Sequence, residues 1–570
     1  MIEKVNPKSL NDLGDKYFNG INNEKNIEVA YTYYKQAADV GNPLGLYNVG
    51  KYFIEKKEYK LAIEYLQKAM ACGYTKANLK LASMAVLGEG FHKNKKKAFK
   101  FVLDAAKQND TFAYNQVASY YLLGIGCKKD TKKAWEYYQK SADLNNIEGM
   151  YQLGLLYLES TKNKSNPETA LHWLDKAAVS GLKNAMIELK KIYSLPHPYF
   201  LKKSKGFLQE MIFYYDELLA KTGELESLKS VSISYYEGTQ ATKQNFEKSI
   251  IYFKKLMDLD EVLGYYGMGV SLLYGQGILQ NSLQAKNYLE ISAGRGYQKA
   301  MTRLGDLYRM GINIDIDFEL AKTWYFEAAK QNDPDALMNL GLLHYRKQIN
   351  NSSFELAFQY MENASKKGYF QAYYWMGIFY DKGIGCDSNF SLAEKAFQRA
   401  IQLGSLGALY KYAVLLFEKA ESKTLKPKKQ QIAYSTANEM FLKYVLDPQH
   451  SQSNSAYSMV YLAEMYENGK GVMESKRISR YWFELAAESG LSRAMVKMYQ
   501  ILQDTEYFSA YDWLQKAVKN EDDGEAFYEM GLLYYDLNSY IAKDLKKARA
   551  YFESAAKLKW KPAFEKLMMM

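Results

Sequence analysis

Residues 372–404 read AYYWMGIFYDKGIGCDSNFSLAEKAFQRAIQLG, and their spacing decides the fold. Ala372, Met376, Gly377 and Tyr380 fall at i, i+4, i+5 and i+8, which puts them on one helical face. Ala393, Ala396, Phe397 and Ala400 form a second helical stripe. Between the two stripes, Gly383 and Gly385 supply conformations closed to residues with side chains, so the first helix ends in a sharp reversal. The stretch therefore predicts two helices that approach closely at Ala and Gly, with aromatic rings filling the adjoining gaps.

The same beat runs outward through most of the 570 residues. A small-residue column holds Gly14, Gly50, Ala82, Ala118, Gly154, Gly269, Gly305, Gly341, Gly377 and Ala413, with 36 residues the commonest interval. An aromatic column keeps step with it through Tyr33, Tyr65, Phe101, Tyr137, Trp173, Tyr252, Tyr288, Trp324, Tyr360, Trp482, Trp513 and Tyr551. Glycine pairs recur at Gly88 and Gly90, Gly124 and Gly126, Gly275 and Gly277, and Gly469 and Gly471. Length alone suggests three or four separate domains. Two columns sharing one period, with nine prolines and no Ser/Gly-rich linker, predict a continuous stack of repeats instead.

The full pattern is A-x-x-x-L-G-x-x-Y-x-x-G-x-G followed by A-x-x-W-Y-x-x-A-A-x-x-G. It resembles the Sel1-like repeat, a relative of the tetratricopeptide repeat. The resemblance implies an all-α fold, an α/α superhelical solenoid of about fifteen Sel1-like helix-turn-helix repeats between Ser9 and Trp560. Two stretches depart from it: Lys190 to Ser232, containing SLPHPYFLKKSKG, and Ala413 to Ala463, containing ESKTLKPKKQQ and DPQHSQSNSAYS. The expected organisation is an N-terminal repeat block over 1–194, a divergent connecting segment over 195–225 and a central block over 226–420, then an insertion over 421–456 and a C-terminal block over 457–570.

Composition removes several classes. Hydrophobic residues at 48% and charged residues at 24% exclude a disordered chain. No apolar run approaches the roughly 20 residues of a membrane-spanning helix. The start, MIEKVNPKSL, has no apolar signal region, and three cysteines without a C-x-x-C pair fit a reducing compartment. A cytoplasmic location is expected, with delivery by a dedicated secretion system left open.

Catalytic constellations are sparse. The histidines are His92, His172, His197, His344 and His450; none is i, i+4 to another and no H-E-x-x-H occurs. His344 stands in the column that holds Tyr17, Tyr157, Tyr308 and Tyr380, so a packing role is expected. Any enzymatic centre would have to use His197 or His450 in the irregular segments. Cys127 and Cys386 both follow GIG and so share one turn position, as inert repeat residues do. The glycine pairs lack a third glycine and follow helices, unlike phosphate-binding loops. The consecutive Glu521, Asp522 and Asp523 read as capping residues. The expectation is a non-enzyme without cofactor or metal.

In the resembled family the first helices line the inner face that grips a partner. The stripe beside the Leu-Gly-Tyr face then nominates Asn48, Lys51, Gln116, Gln152, Arg303, Asn339, Leu342, Trp375, Ile378, Lys411 and Tyr461 as partner-binding residues. Trp375 breaks a column of Asn, Gln, Lys and Arg. It is either an exposed anchor or a ring covered by the insertion. The leading expectation is a scaffold or adaptor for a partner protein or extended peptide: a bacterial regulator, a secreted, virulence-associated effector or an immunity-type inhibitor. The alternative is an RNA- or acidic-polymer-binding protein using the lysines of KNKKK (93–97) and KKDTKK (128–133), which recur at one repeat position. A net charge of +11 is a mild bias, so nucleic acid is the weaker reading.

Overall fold

The computed structural model describes residues 6–21, 25–159, 167–195, 203–422, 424–447, 454–536 and 541–570. Thirty-one helices run from α1 (Pro7–Asn19) to α31 (Lys561–Met568), and no strand occurs among the described residues. In chain order they make fifteen successive pairs and one final helix, the all-α repeat organisation expected from the sequence. The chain divides into two compact units, residues 1–268 with 276–278 and residues 269–275 with 279–570.

Each pair is closed by its turn. In the first unit, Asp130 caps α8 (Thr131–Asp143) by accepting from the Lys133 N–H at 3.0 Å, while its own N–H donates to the Tyr121 carbonyl at 3.0 Å. In the second unit, Asn389 does the same for α22 (Phe390–Gln402), accepting from Leu392 at 3.0 Å and donating to Tyr380 at 2.8 Å. One residue thus satisfies an orphan helix donor and ties the second helix back to the first. Gly385, at φ +66°, sits against the Phe354 carbonyl of the preceding repeat. That position needs both a left-handed backbone and no side chain.

The helix contacts follow the columns. Gly305 of α17 (Gln298–Met310) faces the Tyr325 ring of α18 (Phe318–Lys330), and Gly377 of α21 (Phe370–Lys382) faces Phe397 of α22. The first-helix aromatic stacks on the second-helix aromatic: Tyr17 on Tyr33 at 6.0 Å, Tyr121 on Tyr137 at 6.0 Å and Tyr534 on Tyr551 at 5.7 Å between ring centres.

Successive repeats are joined by a polar clamp. A first-helix side chain bonds the residue that caps the next repeat's first helix, 31 positions on: Asn11 to Asn42 at 3.2 Å, Asn115 to Asn146 at 2.8 Å and Thr302 to Asp333 at 2.5 Å. Other boundaries place apolar residues at both positions, as at Tyr151 and Leu182 or Val460 and Leu491.

The two departing stretches also carry helices, each inside one compact unit. In the first unit, α12 (Lys205–Lys221) packs between α11 (Lys183–Ser194) and α13 (Leu225–Glu237). Buried Asp216 holds Lys190 at 2.5 Å, Ser227 at 2.7 Å and Ser230 at 3.1 Å, and Tyr215 stacks on Tyr193 at 5.9 Å. In the second unit, α24 (Pro427–Leu446) packs between α23 (Leu406–Glu421) and α25 (Ser455–Asn468), where Phe441 stacks on Tyr461 at 4.9 Å. No helix of the described residues is long and apolar enough to cross a membrane.

Candidate partner-binding surface

The expected stripe splits into exposed, engaged and buried members. Gln116 and Lys411 are exposed, and Lys411 has no ion-pair partner among the described residues. Lys51 is half-buried with its ammonium 4.9 Å from the Phe18 ring, and Gln152 is half-buried and donates to Glu148 at 2.8 Å. Arg303 is half-buried and pairs with Asp306 at 2.5 Å and Asp335 at 3.6 Å.

Two expectations need correction. Asn48 is 2% exposed and donates to Asn11 at 3.0 Å, extending the polar clamp. Asn339 is 8% exposed and donates to Asp306 at 3.3 Å. Both amides hold neighbouring repeats together, which leaves neither free for a partner. Tyr461 is half-buried between Phe441 and Phe417, its ring taken up by the helix of the insertion.

Leu342, Trp375 and Ile378 come together in one half-buried cluster. The Trp375 ring lies 5.6 Å from Tyr374 and 5.8 Å from Tyr345. No described residue of the 421–456 insertion lines its cavity. That cavity is about 490 Å³, walled by Met338, Phe370, Tyr374, Trp375 and Leu406, with Gln371, Ser405 and Gly407 at its polar edge. Sequence reasoning singled out Trp375 with Leu342 and Ile378 and missed the cavity's other walls, Met338, Phe370, Tyr374 and Leu406. The available signal was a mismatch at the clamp spacing: Tyr374 faces position 405, where a serine stands in place of a polar clamp partner or an apolar filler.

The lysine edge is present in the first unit. Lys93, Lys95, Lys96, Lys128, Lys129 and Lys132 are exposed, and the first turns of α6 (Lys95–Ala106) and α8 contain no acid. Gly126 lies against the Lys95 carbonyl, so the two lysine groups are neighbours. Lys97 and Lys133 turn onto aromatic rings, at 4.2 Å from Phe91 and 5.4 Å from Tyr121.

His344 is buried, stacks on Tyr360 at 5.7 Å and accepts the Ser353 N–H at 3.3 Å. Desolvation, helped by Lys322, holds its imidazole below the ordinary histidine range. Cys127 and Cys386 donate weakly to the carbonyls of Tyr120 and Phe379, at 3.4 and 3.7 Å, and burial pushes both thiols up. His197 and His450 lie outside the described residues.

The Sel1 repeat family model matches residues 7–42, 44–74, 75–110, 111–146, 147–181, 230–260, 262–297, 298–333, 334–369, 370–405, 456–491, 499–522 and 524–559. An uncharacterized protein of Neisseria meningitidis is 25% identical over 170 residues, covering 30% of this chain and 35% of that protein. Chitin synthase regulatory factor 3 of Schizosaccharomyces pombe is 29% identical over 178 residues, 30% of this chain and 18% of that protein. The chain thus spans well under two thirds of either relative. Among solved structures, a protective antigen of uropathogenic Escherichia coli with an SLR fold is similar at 19% identity, 99% and 95% coverage and a TM-score of 0.31. Thirteen matched segments take in well over half of the residues: the chain belongs to the Sel1 repeat family.

Proposed function

We propose that this protein is a non-enzymatic scaffold or adaptor that holds a partner protein or extended peptide on the face carrying the first-helix stripe. The observation that carries the proposal is the Trp375 cavity, an aromatic-walled hollow at the apolar centre of a stripe that is otherwise mostly polar. Half-buried aromatic anchors with a polar surround are where binding energy concentrates in interfaces. Family membership supports the same class, since Sel1 repeat proteins generally act as protein-interaction scaffolds. Two relatives, from Schizosaccharomyces pombe and Saccharomyces cerevisiae, are named chitin synthase regulators, which favours a regulatory adaptor over a purely structural one.

The test is affinity capture from cells of the source organism with quantitative mass spectrometry, comparing wild type with a Trp375→Gln, Gln116→Ala, Lys411→Ala variant of unchanged melting behaviour. Loss of a specific partner from the variant is expected. Retention of every captured partner would overturn the assignment of this face.

The lysine edge favours a second reading, binding of an acidic polymer such as RNA. Lysines in helix first turns oppose the helix dipole, so Lys95, Lys96 and Lys132 run against local stability. Binding by this edge predicts a steep loss of affinity with salt and with Lys95, Lys96 and Lys132 replaced by alanine.

A further inference from the structure

The Trp375 cavity exists because the repeat pattern fails at several places that converge on it. At clamp spacing, Met338 faces Tyr369 and Tyr374 faces Ser405. Where Thr302 bonds Asp333 or Asn115 bonds Asn146, Tyr374 offers Ser405 no such bond. Ser405 is only 9% exposed, its hydroxyl has no hydrogen-bond partner among the described residues, and it lines the cavity. The preceding repeat has Tyr369 at that position and Gln371 where Gly407 stands, so two side chains that would fill the space are absent. A Cβ at Gly407 would meet only Tyr374, at 3.7 Å.

The electrostatics of the same wall are one-sided. Ser405, Leu406 and Gly407 form the start of α23, which takes no side-chain cap and has no acid in its first turn. A 16-residue helix presents a partial positive charge and spare N–H groups there. Lys411, one turn further along α23, is exposed and has no ion-pair partner among the described residues. Lys411 has its ammonium 5.5 Å from the Tyr410 ring centre; apolar walls beside an uncapped helix start, an unpartnered hydroxyl and an exposed lysine without a carboxylate suit one chemistry. A cavity of about 490 Å³ takes one bulky side chain and the adjoining backbone.

We infer that this cavity is a specificity pocket for a partner segment carrying a bulky apolar or aromatic side chain next to a carboxylate. The ring enters between Met338, Phe370, Tyr374, Trp375 and Leu406, and the carboxylate meets the start of α23, the Ser405 hydroxyl and Lys411. The carboxylate comes from the partner's chain end or from an Asp or Glu side chain. This inference deepens the scaffold reading and rests on it.

The experiment is titration of the full chain by ligand-observed NMR with two pairs of probes. N-acetyl-phenylalanine is set against its amide, and N-acetyl-Asp-Phe-amide against N-acetyl-Asn-Phe-amide. In at least one pair the acid is expected to bind about two- to fivefold more tightly than its neutral counterpart, the range of a helix-terminus charge effect; which pair responds identifies the source of the carboxylate. Ser405→Tyr and Gly407→Gln install residues that the preceding repeat already carries, and each is expected to cut binding about tenfold or more by filling the space. Lys411→Ala is expected to erase the preference for the acid without affecting the neutral probe. Equal binding of acid and neutral probes, or binding unaltered by Ser405→Tyr and Gly407→Gln, overturns the inference. A natural partner still captured by wild type and lost from the Trp375→Gln variant would then leave the scaffold reading standing without this pocket chemistry.

Discussion

The Tyr325 ring is packed against Gly305 so closely that a Cβ added there would stand 2.5 Å from ring atoms Cδ1 and Cε1. The ring has no easy escape. Its hydroxyl donates to Asp306 at 2.8 Å and accepts from Arg309 Nε at 3.0 Å, and the residue is fully buried. Gly305→Val is therefore expected to destabilise the protein by about 1–3 kcal/mol through overpacking. Gly294, which has nothing within 4 Å of an added Cβ, should accept alanine without loss. Thermal denaturation of the two variants beside wild type checks the pair, and an unchanged melting temperature for Gly305→Val would contradict the packing column.

His344 predicts a pH dependence. Its folded-state pKa is lowered, chiefly by burial, from the ordinary value of 6.5. Below that value the unfolded chain binds a proton that the folded chain resists, so stability falls as pH drops from about 6.5 toward the lower folded-state pKa. The contribution is fully present at higher pH. His344→Tyr installs the residue common to the column and should flatten this part of the stability curve. Denaturant melts at intervals from pH 7.5 to 5 measure it, and identical slopes for wild type and variant would show that His344 stays solvated.

The thiols should differ in reactivity. Cys72 is exposed, whereas Cys127 and Cys386 have their thiols pushed up by burial and facing turn carbonyls. Alkylation at mildly alkaline pH is expected to label Cys72 first and the other two much more slowly, because the thiolate is the reacting species. Peptide mapping over time reads the order, and equal rates would remove the inert-turn account.

Lys95, Lys96 and Lys132 stand in first turns that contain no acid, although Asp130 caps the second of these helices. Replacing all three by alanine should raise the melting temperature at low ionic strength, with a gain that shrinks as salt shortens the screening length to about 10 Å at 0.1 M. A lower melting temperature for the variant would mean that these side chains are part of the packing.

Much of the architecture could be read from the chain because each repeat restates the same small and aromatic columns. Gly377 and Phe397 are named by periodicity alone and meet in the structure. His344 was legible for the same reason, as an occupant of a tyrosine column that stacks as a tyrosine does. The departures were harder. Helices α12 and α24 lack the signature yet fill second-helix places, because Tyr215 and Phe441 stack on Tyr193 and Tyr461 with a different set of neighbours. Asn48 and Asn339 misled the surface reading, since a polar residue beside the packing face is exposed only if the adjacent repeat offers it no partner. Here Asn11 and Asp306 do. The pocket depends on pairs 31 residues apart, Tyr374 with Ser405, which no single helix displays.

Hydrogen exchange of the protein with and without its captured partner tests the central claim most directly. The account predicts new protection in the first helices that carry the stripe, strongest over α21 and the start of α23 around Trp375 and Ser405. Protection confined to the second helices or to the lysine-bearing turns at 93–97 and 128–133 would contradict it.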